Sequence, residues 1–159
     1  MKRVQQTNVW RLIALGGLAG GTAEVLWVTI YALAGEVSAA EVARQVTASV
    51  WPSAADWTIA PVLGIAIHMI LAVALAALCA PLLMRLTSRQ AAPAALVLVS
   101  LIALTTVWAV NFLIVLPVLN PAFIQLMPYA ATLASKMLFG LAMAAVVHRD
   151  AARETVRIR

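Results

Sequence analysis

Charge is scarce in this sequence. Only 11% of its 159 residues are Asp, Glu, Lys or Arg, while 64% are hydrophobic. A soluble domain carries about 25% charged residues, and a globule of this size has too much surface to cover with so few. That excludes a soluble enzyme, a secreted domain and a disordered tail. The single cysteine, Cys79, excludes an internal disulfide framework and any multi-cysteine zinc or iron–sulfur site. There is no Ser–His–acid set, no aspartate pair and no glycine-rich phosphate loop. The chain therefore reads as non-enzymatic, with no cofactor and no metal expected. Its net charge of +5 does not point to nucleic acid. Such binding needs basic residues gathered on one folded face among aromatics, and here they stand at the ends of apolar segments.

Apolar length is what the chain has instead. Crossing about 30 Å of hydrocarbon takes roughly 20 mainly apolar residues, and four stretches qualify, at about 12–34, 59–84, 94–119 and 128–147. The expected fold is all-α: a polytopic membrane protein in which residues 1–159 form a single membrane domain with four transmembrane helices. Pro61, Pro93 and Pro128 stand near the starts of spans, where a missing N–H costs little. Pro117 and Pro121 mark the turn after the third. Lys2, Arg3, Arg11, Arg85, Arg89, Arg149, Arg153, Arg157 and Arg159 all fall on one side, nine of the eleven Lys and Arg. Arg44 stands alone on the other side and Lys136 is inside the bilayer. The positive-inside rule then makes both termini cytoplasmic, in a bacterial inner membrane. The segment Met1–Arg11 has the look of a signal-peptide n-region, but no clean cleavage site follows the long apolar stretch, so an uncleaved start is expected.

The first external loop, residues 35–57, carries a pattern of its own. Ser38-Ala-Ala-Glu41 matches a capping box, and Val42, Val46 and Val50 recur every four residues. This predicts a short amphipathic helix lying on the outer surface with Trp51 and Trp57 as interfacial anchors, or else a plain ordered loop helix. The uncharged loop at 120–127 reads as a tight lid. The tail, 148–159, either extends the last span into the cytoplasm or binds anionic headgroups.

Three ionisable residues fall inside spans: Glu24, His68 and Lys136. Each costs about 2.5–3.5 kcal/mol even on the lenient insertion scale. At 1.5 Å per residue, Glu24 lies about 18 Å from the cytoplasmic start of its span, and His68 and Lys136 lie roughly 12–14 Å from the outer starts of theirs. The three share one layer, and Asn111 lies close to it. Small residues mark close helix contacts in membranes. Gly16, Gly20 and Glu24 share a face, Gly17 and Gly21 form a second overlapping GxxxG, Gly64 precedes His68, and Lys136 precedes Gly140 at the same spacing. A buried polar cluster of Glu24, His68, Asn111 and Lys136 is expected, with Glu24 paired to Lys136. It acts as packing glue, as a proton or ion route, or as a ligand contact. A bis-histidine haem is disfavoured because His148 lies at the far end of its span. Cys79 reads as a small core residue. Trp10, Trp27, Trp51 and Trp57 suit interfaces, and Trp108 the bundle interior.

The two hairpins show a faint internal repeat, His68-Met-Ile-Leu against Lys136-Met-Leu-Phe and Leu75-Ala-Ala against Met143-Ala-Ala. The chain also resembles a family of small, uncharacterised four-helix bacterial inner-membrane proteins. The resemblance rests on Val42-Ala-Arg-Gln-Val-Thr-Ala-Ser, on Leu63-Gly-Ile-Ala-Ile-His68, on Val110-Asn-Phe-Leu-Ile-Val-Leu-Pro117 and on residues 133–140. It implies a four-helix fold and no particular activity, and family members tend to carry histidine where this chain has Lys136. The functional expectation is a non-enzymatic accessory subunit or self-associating bundle, a homo-oligomer or part of a larger membrane complex, with the lipid bilayer as its surroundings. The alternative is a small proton, ion or solute conduit through Glu24, His68 and Lys136.

Overall fold

The computed structural model describes residues 2–35, 37–88 and 92–157, with side chains described over 9–35, 37–86 and 92–150. Of the residues used above for orientation, Arg89 and Arg159 lie outside the described residues. So do the side chains of Lys2, Arg3, Arg153 and Arg157. The order is α1 (Lys2–Ala34), α2 (Ala39–Val50), a 3-10 turn (Pro52–Ala54), α3 (Ala60–Ser88) and α4 (Pro93–Val110). A π turn (Asn111–Val115) and α5 (Leu116–Leu119) continue α4, and α6 (Pro121–Leu126) and α7 (Tyr129–Arg157) complete the chain. No strand occurs among the described residues.

Four helical stretches are long and apolar enough to cross a membrane: Val9–Ala34, Ala60–Leu86, Pro93–Leu119 and Tyr129–Asp150. Large apolar side chains such as Leu33, Val62, Leu78 and Val118 stand exposed on their outer faces. In water so much exposed apolar surface would be a liability, whereas lipid covers it without cost. A multi-pass membrane protein accounts for both features.

The long helices pack in the order α3, α1, α7, α4, with α1 and α7 at the centre. Glycine sets the approach of α1 to both neighbours. A Cβ on Gly17 would stand 2.5 Å from the backbone of Val73, and one on Gly20 would stand 2.7 Å from the ring of Phe139. Gly21 faces Ala72 and Met69 of α3, and Gly16 faces Met143 of α7. Both overlapping GxxxG faces are therefore filled within one chain.

Two apolar clusters divide the bundle lengthwise. Toward the termini, Leu12 and Ile13 of α1 meet Ala76 and Leu83 of α3, Leu96 and Leu104 of α4, and Phe139 and Met143 of α7. Cys79 is buried in this cluster as a free thiol. Toward α2, the second cluster joins Val42, Phe112, Leu116, Phe123, Met127 and Ala131. Among the described residues no α3 side chain belongs to it. All four long helices meet at the termini end, whereas α3 leaves the common core at the other.

α2 is bolted down rather than laid loosely on a surface. Ser38 occupies the N-cap position but makes no side-chain capping bond. Glu41 instead accepts from Gln45 at 2.8 Å and pairs with Arg44 at 3.4 Å. Three tethers hold the helix. Thr47 donates to the Ala60 carbonyl at 2.6 Å, and Arg44 donates to that of Ala55 at 2.7 Å. Asn120, before α6, donates to the Gln45 carbonyl at 3.0 Å and to Ser49 Oγ at 3.0 Å, while its own Oδ1 accepts from the Phe123 N–H. The residues 120–127 thus form a cap helix that grips α2. Trp51 and Trp57 meet edge to face, with ring centroids 5.2 Å apart and about half of each side chain exposed.

Gly64 is the closest point of α2 on α3. A Cβ there would fall 1.8 Å from the Ala43 carbonyl oxygen, which belongs to helix backbone and cannot swing away. At Gly140 an added Cβ would meet its nearest neighbours at 3.5 Å, an ordinary contact. Gly64→Ala is therefore expected to lower stability by about 1–3 kcal/mol. Gly140→Ala should be neutral or stabilising by up to about 1 kcal/mol through helix propensity. Thermal unfolding of both variants in detergent checks the contrast, and equal melting points would refute the close packing at Gly64.

Candidate functional site

The polar layer forms because three helices each bring one ionisable side chain to the same depth on inward faces. Glu24 is 2% exposed. Its Oε1 lies 2.5 Å from Lys136 Nζ and accepts from Ser135 Oγ at 3.3 Å. Its Oε2 lies 3.4 Å from His68 Nε2, without the alignment of a hydrogen bond, and both of those atoms are buried with no hydrogen-bond partner. Lys136 Nζ also lies 5.8 Å from the centroid of the Phe139 ring. The aligned positions of the faint repeat, His68 and Lys136, thus reach the same carboxylate from opposite sides of α1.

Asn111 is placed differently from the expectation. It lines the same cavity but makes no hydrogen bond to Glu24, His68 or Lys136. It opens the π turn, in which the Leu116 N–H reaches back to the Asn111 carbonyl. Pro117 explains the wider turn. It has no N–H to give, and its ring would clash with the carbonyl four residues back, at Leu113. One turn of π geometry moves that carbonyl aside.

Beside the polar layer, and extending to both sides of it along the bundle, a cleft of about 950 Å³ separates α3 from α4. Its walls are apolar: Ile65, Leu71 and Leu78 on α3, Val107, Val110 and Val115 on α4. Val42, Ala43 and Val46 of α2 close one end. Leu71 is 52% and Leu78 77% exposed, so the cleft opens along the side of the bundle. Glu24, His68, Ser135 and Lys136 lie along its floor. The volume sits at the upper end of the roughly 300–1,000 Å³ typical of small-molecule sites, which likewise set a few polar groups among apolar walls.

Below the layer the polarity stops. Phe139 and Met143 are fully buried under Lys136, and Ala76, Ala80 and Leu83 fill the space toward the termini. Ser100 is the one fully buried polar side chain described on α4 there, and its Oγ has no partner. His148 lies twelve residues along α7 from Lys136, about 18 Å away. Among the described residues no group of three His, Cys, Asp or Glu side chains is placed to hold a metal ion.

Several contributors were not foreseen from the sequence. Ser135 stands beside Lys136 in sequence and shares its carboxylate. Trp27 faces inward, donating from Nε1 to the Ala131 carbonyl at 2.9 Å, so it ties α1 to α7 instead of serving only as an interfacial anchor. Trp108 packs inside as expected, donating to Thr132 Oγ1 at 3.0 Å and stacking on Phe112. No family model, curated protein or solved structure matches the chain.

Breaking a buried pair by removing one partner leaves the other charge uncompensated and costs about 3–5 kcal/mol, whereas removing both is far milder. Glu24→Gln and Lys136→Met are each expected to be destabilising by that order, and the double variant should regain more than half of the loss. A double-mutant cycle of unfolding in detergent measures the coupling. Strict additivity would show that the pair contributes nothing as a pair.

Proposed function

We propose that this chain is a non-catalytic binding protein of the bacterial inner membrane that receives an amphipathic guest from the bilayer. The observation that carries this reading is the side-opening apolar cleft with Glu24, His68 and Lys136 on its floor. A guest entering between α3 and α4 keeps its apolar body against Ile65, Leu71 and Val110 and brings a polar end to the layer of Glu24, His68 and Lys136. The distribution of basic residues supports cytoplasmic termini, and the cleft then starts near the outer end of α3 at Val62 and runs past the polar layer to Leu78. The resemblance to small four-helix inner-membrane proteins is part of the same proposal: histidine in place of Lys136 would still put a basic group beside Glu24.

The packing below the floor weighs against the conduit. A proton or ion route needs polar groups or water on both sides of its central site, and the half toward the termini is closed by Phe139, Met143 and Leu83. The glycine faces no longer argue for self-association, because α3 and α7 of the same chain occupy them. One observation favours an accessory-subunit reading. The cleft wall on α3 runs from Val62 to Leu78, about 24 Å, which is long enough to receive a helix of a partner subunit.

Purification in mild detergent followed by native mass spectrometry separates the readings. A retained lipid-sized mass supports the bound guest, and a stoichiometric protein supports the accessory subunit. Val107→Trp, which fills the cleft, should release a guest without lowering the melting temperature. Liposomes carrying the chain are expected to leak protons no faster than empty ones, and a leak abolished by Glu24→Gln would restore the conduit.

A further inference from the structure

We infer that the floor of the cleft selects a neutral hydroxyl headgroup, the end of a long-chain alcohol or a diacylglycerol, over an anionic or an ether-capped one. The inference rests on the guest-binding reading above and specifies its polar end. The first support is the orphaned oxygen. Glu24 is almost wholly buried at the cleft floor, yet its Oε2 accepts no hydrogen bond. A carboxylate oxygen removed from water calls for a donor, and His68 Nε2, 3.4 Å from it, is itself without a hydrogen bond.

The second support is charge balance. Lys136 pairs with Glu24 at 2.5 Å, so their formal charges cancel. The floor has little left to offset a phosphate or carboxylate, and Oε2 repels either. A carbonyl or ether oxygen has no proton to give Oε2. A hydroxyl gives one and still accepts through its lone pairs. The N–H groups of Lys136 not turned to Glu24 are donors for those lone pairs, and the Asn111 amide, which lines the same cleft and has no partner among the described residues, is the further donor the inference assigns. Asn111 begins the π turn, a local irregularity of a kind that often accompanies functional sites.

Three probes with one common chain isolate the headgroup: oleyl alcohol, oleyl methyl ether and oleate, titrated against the full chain in detergent with native mass spectrometry as readout. The alcohol is expected to bind roughly ten-fold tighter than the ether, the ratio of a single hydrogen bond to a charged acceptor, and oleate no tighter than the ether. Glu24→Gln should erase the difference. Because that change also deprives Lys136 of its partner, Asn111→Leu serves as the second variant, expected to weaken the alcohol several-fold and leave the ether unchanged. Displacement of the alcohol by dioleoylglycerol or by a polyprenol tells which membrane component supplies the hydroxyl, and displacement by neither overturns the inference. Equal binding of alcohol and ether overturns it while leaving the guest reading intact. Oleate as the tightest probe overturns it in favour of an anion site. Binding of none of the three overturns the guest reading itself.

Discussion

A carboxylate placed where water cannot reach it has to be answered by its neighbours, and Glu24 organises this bundle on that condition. It stands on α1, the helix that touches both α3 and α7, and each of those helices supplies one answering group. Lys136 meets one oxygen directly and His68 approaches the other. Neither ionisable group is tolerable alone in an apolar interior. The pair therefore fixes the rotational setting of α7 against α1, since a turn of either helix about its own axis would strand both charges. The glycines then become necessary. Bringing Glu24 and Lys136 together demands backbones close enough for Phe139 to lie against Gly20, and a side chain at Gly17 would hold α3 away.

Much of this was legible before any coordinates. Four apolar runs gave the helices, and counting 1.5 Å per residue placed Glu24, His68 and Lys136 at one depth. The four-residue spacing of glycines and polar residues placed them on inward faces. What spacing along single helices does not contain is the angle between helices. Nothing local to α3 or α4 announces that they part company toward α2, so the cleft was invisible. The same limit explains Asn120. Its grip on Gln45 and Ser49 joins residues more than seventy positions apart, and a lone asparagine before a proline reads only as a turn. The π turn had a local cause in Pro117, but a proline near the end of a span is equally at home in a plain terminus. The capping box at Ser38 marked the start of α2 correctly, although Glu41 is turned to Gln45 and Arg44 instead.

The glycine pattern is read accurately as geometry, and here the geometry is internal to the chain. GxxxG marks a face where backbones approach, and here they do. It carries no information on whether the second backbone belongs to another molecule. In a chain of four spans the central helix already has neighbours on two sides, so close-packing residues are consumed internally. Association with a further subunit would find the largest uncovered faces on α3 and α4, the two spans with the smallest share of buried residues.

The two halves of the bundle differ in what holds them, and that difference bears on how a guest could enter. At the termini end, side chains of all four long helices interlock around Phe139 and Met143, which makes a stiff base. Toward α2, α3 is held by the close backbone contact at Gly64 and by the Thr47 hydrogen bond to the Ala60 carbonyl, and α2 is itself gripped by Asn120. Any parting of α3 from α4 would carry His68 away from Glu24 Oε2 but would leave the Glu24–Lys136 pair in place, because both of its members stand on α1 and α7. Two of the three helices that build the polar floor, α1 and α7, are thus separate from the pair that frames the opening, while α3 belongs to both. On the guest-binding proposal, the Glu24–Lys136 pair is then the part of the polar end that stays the same for apolar bodies of varied width.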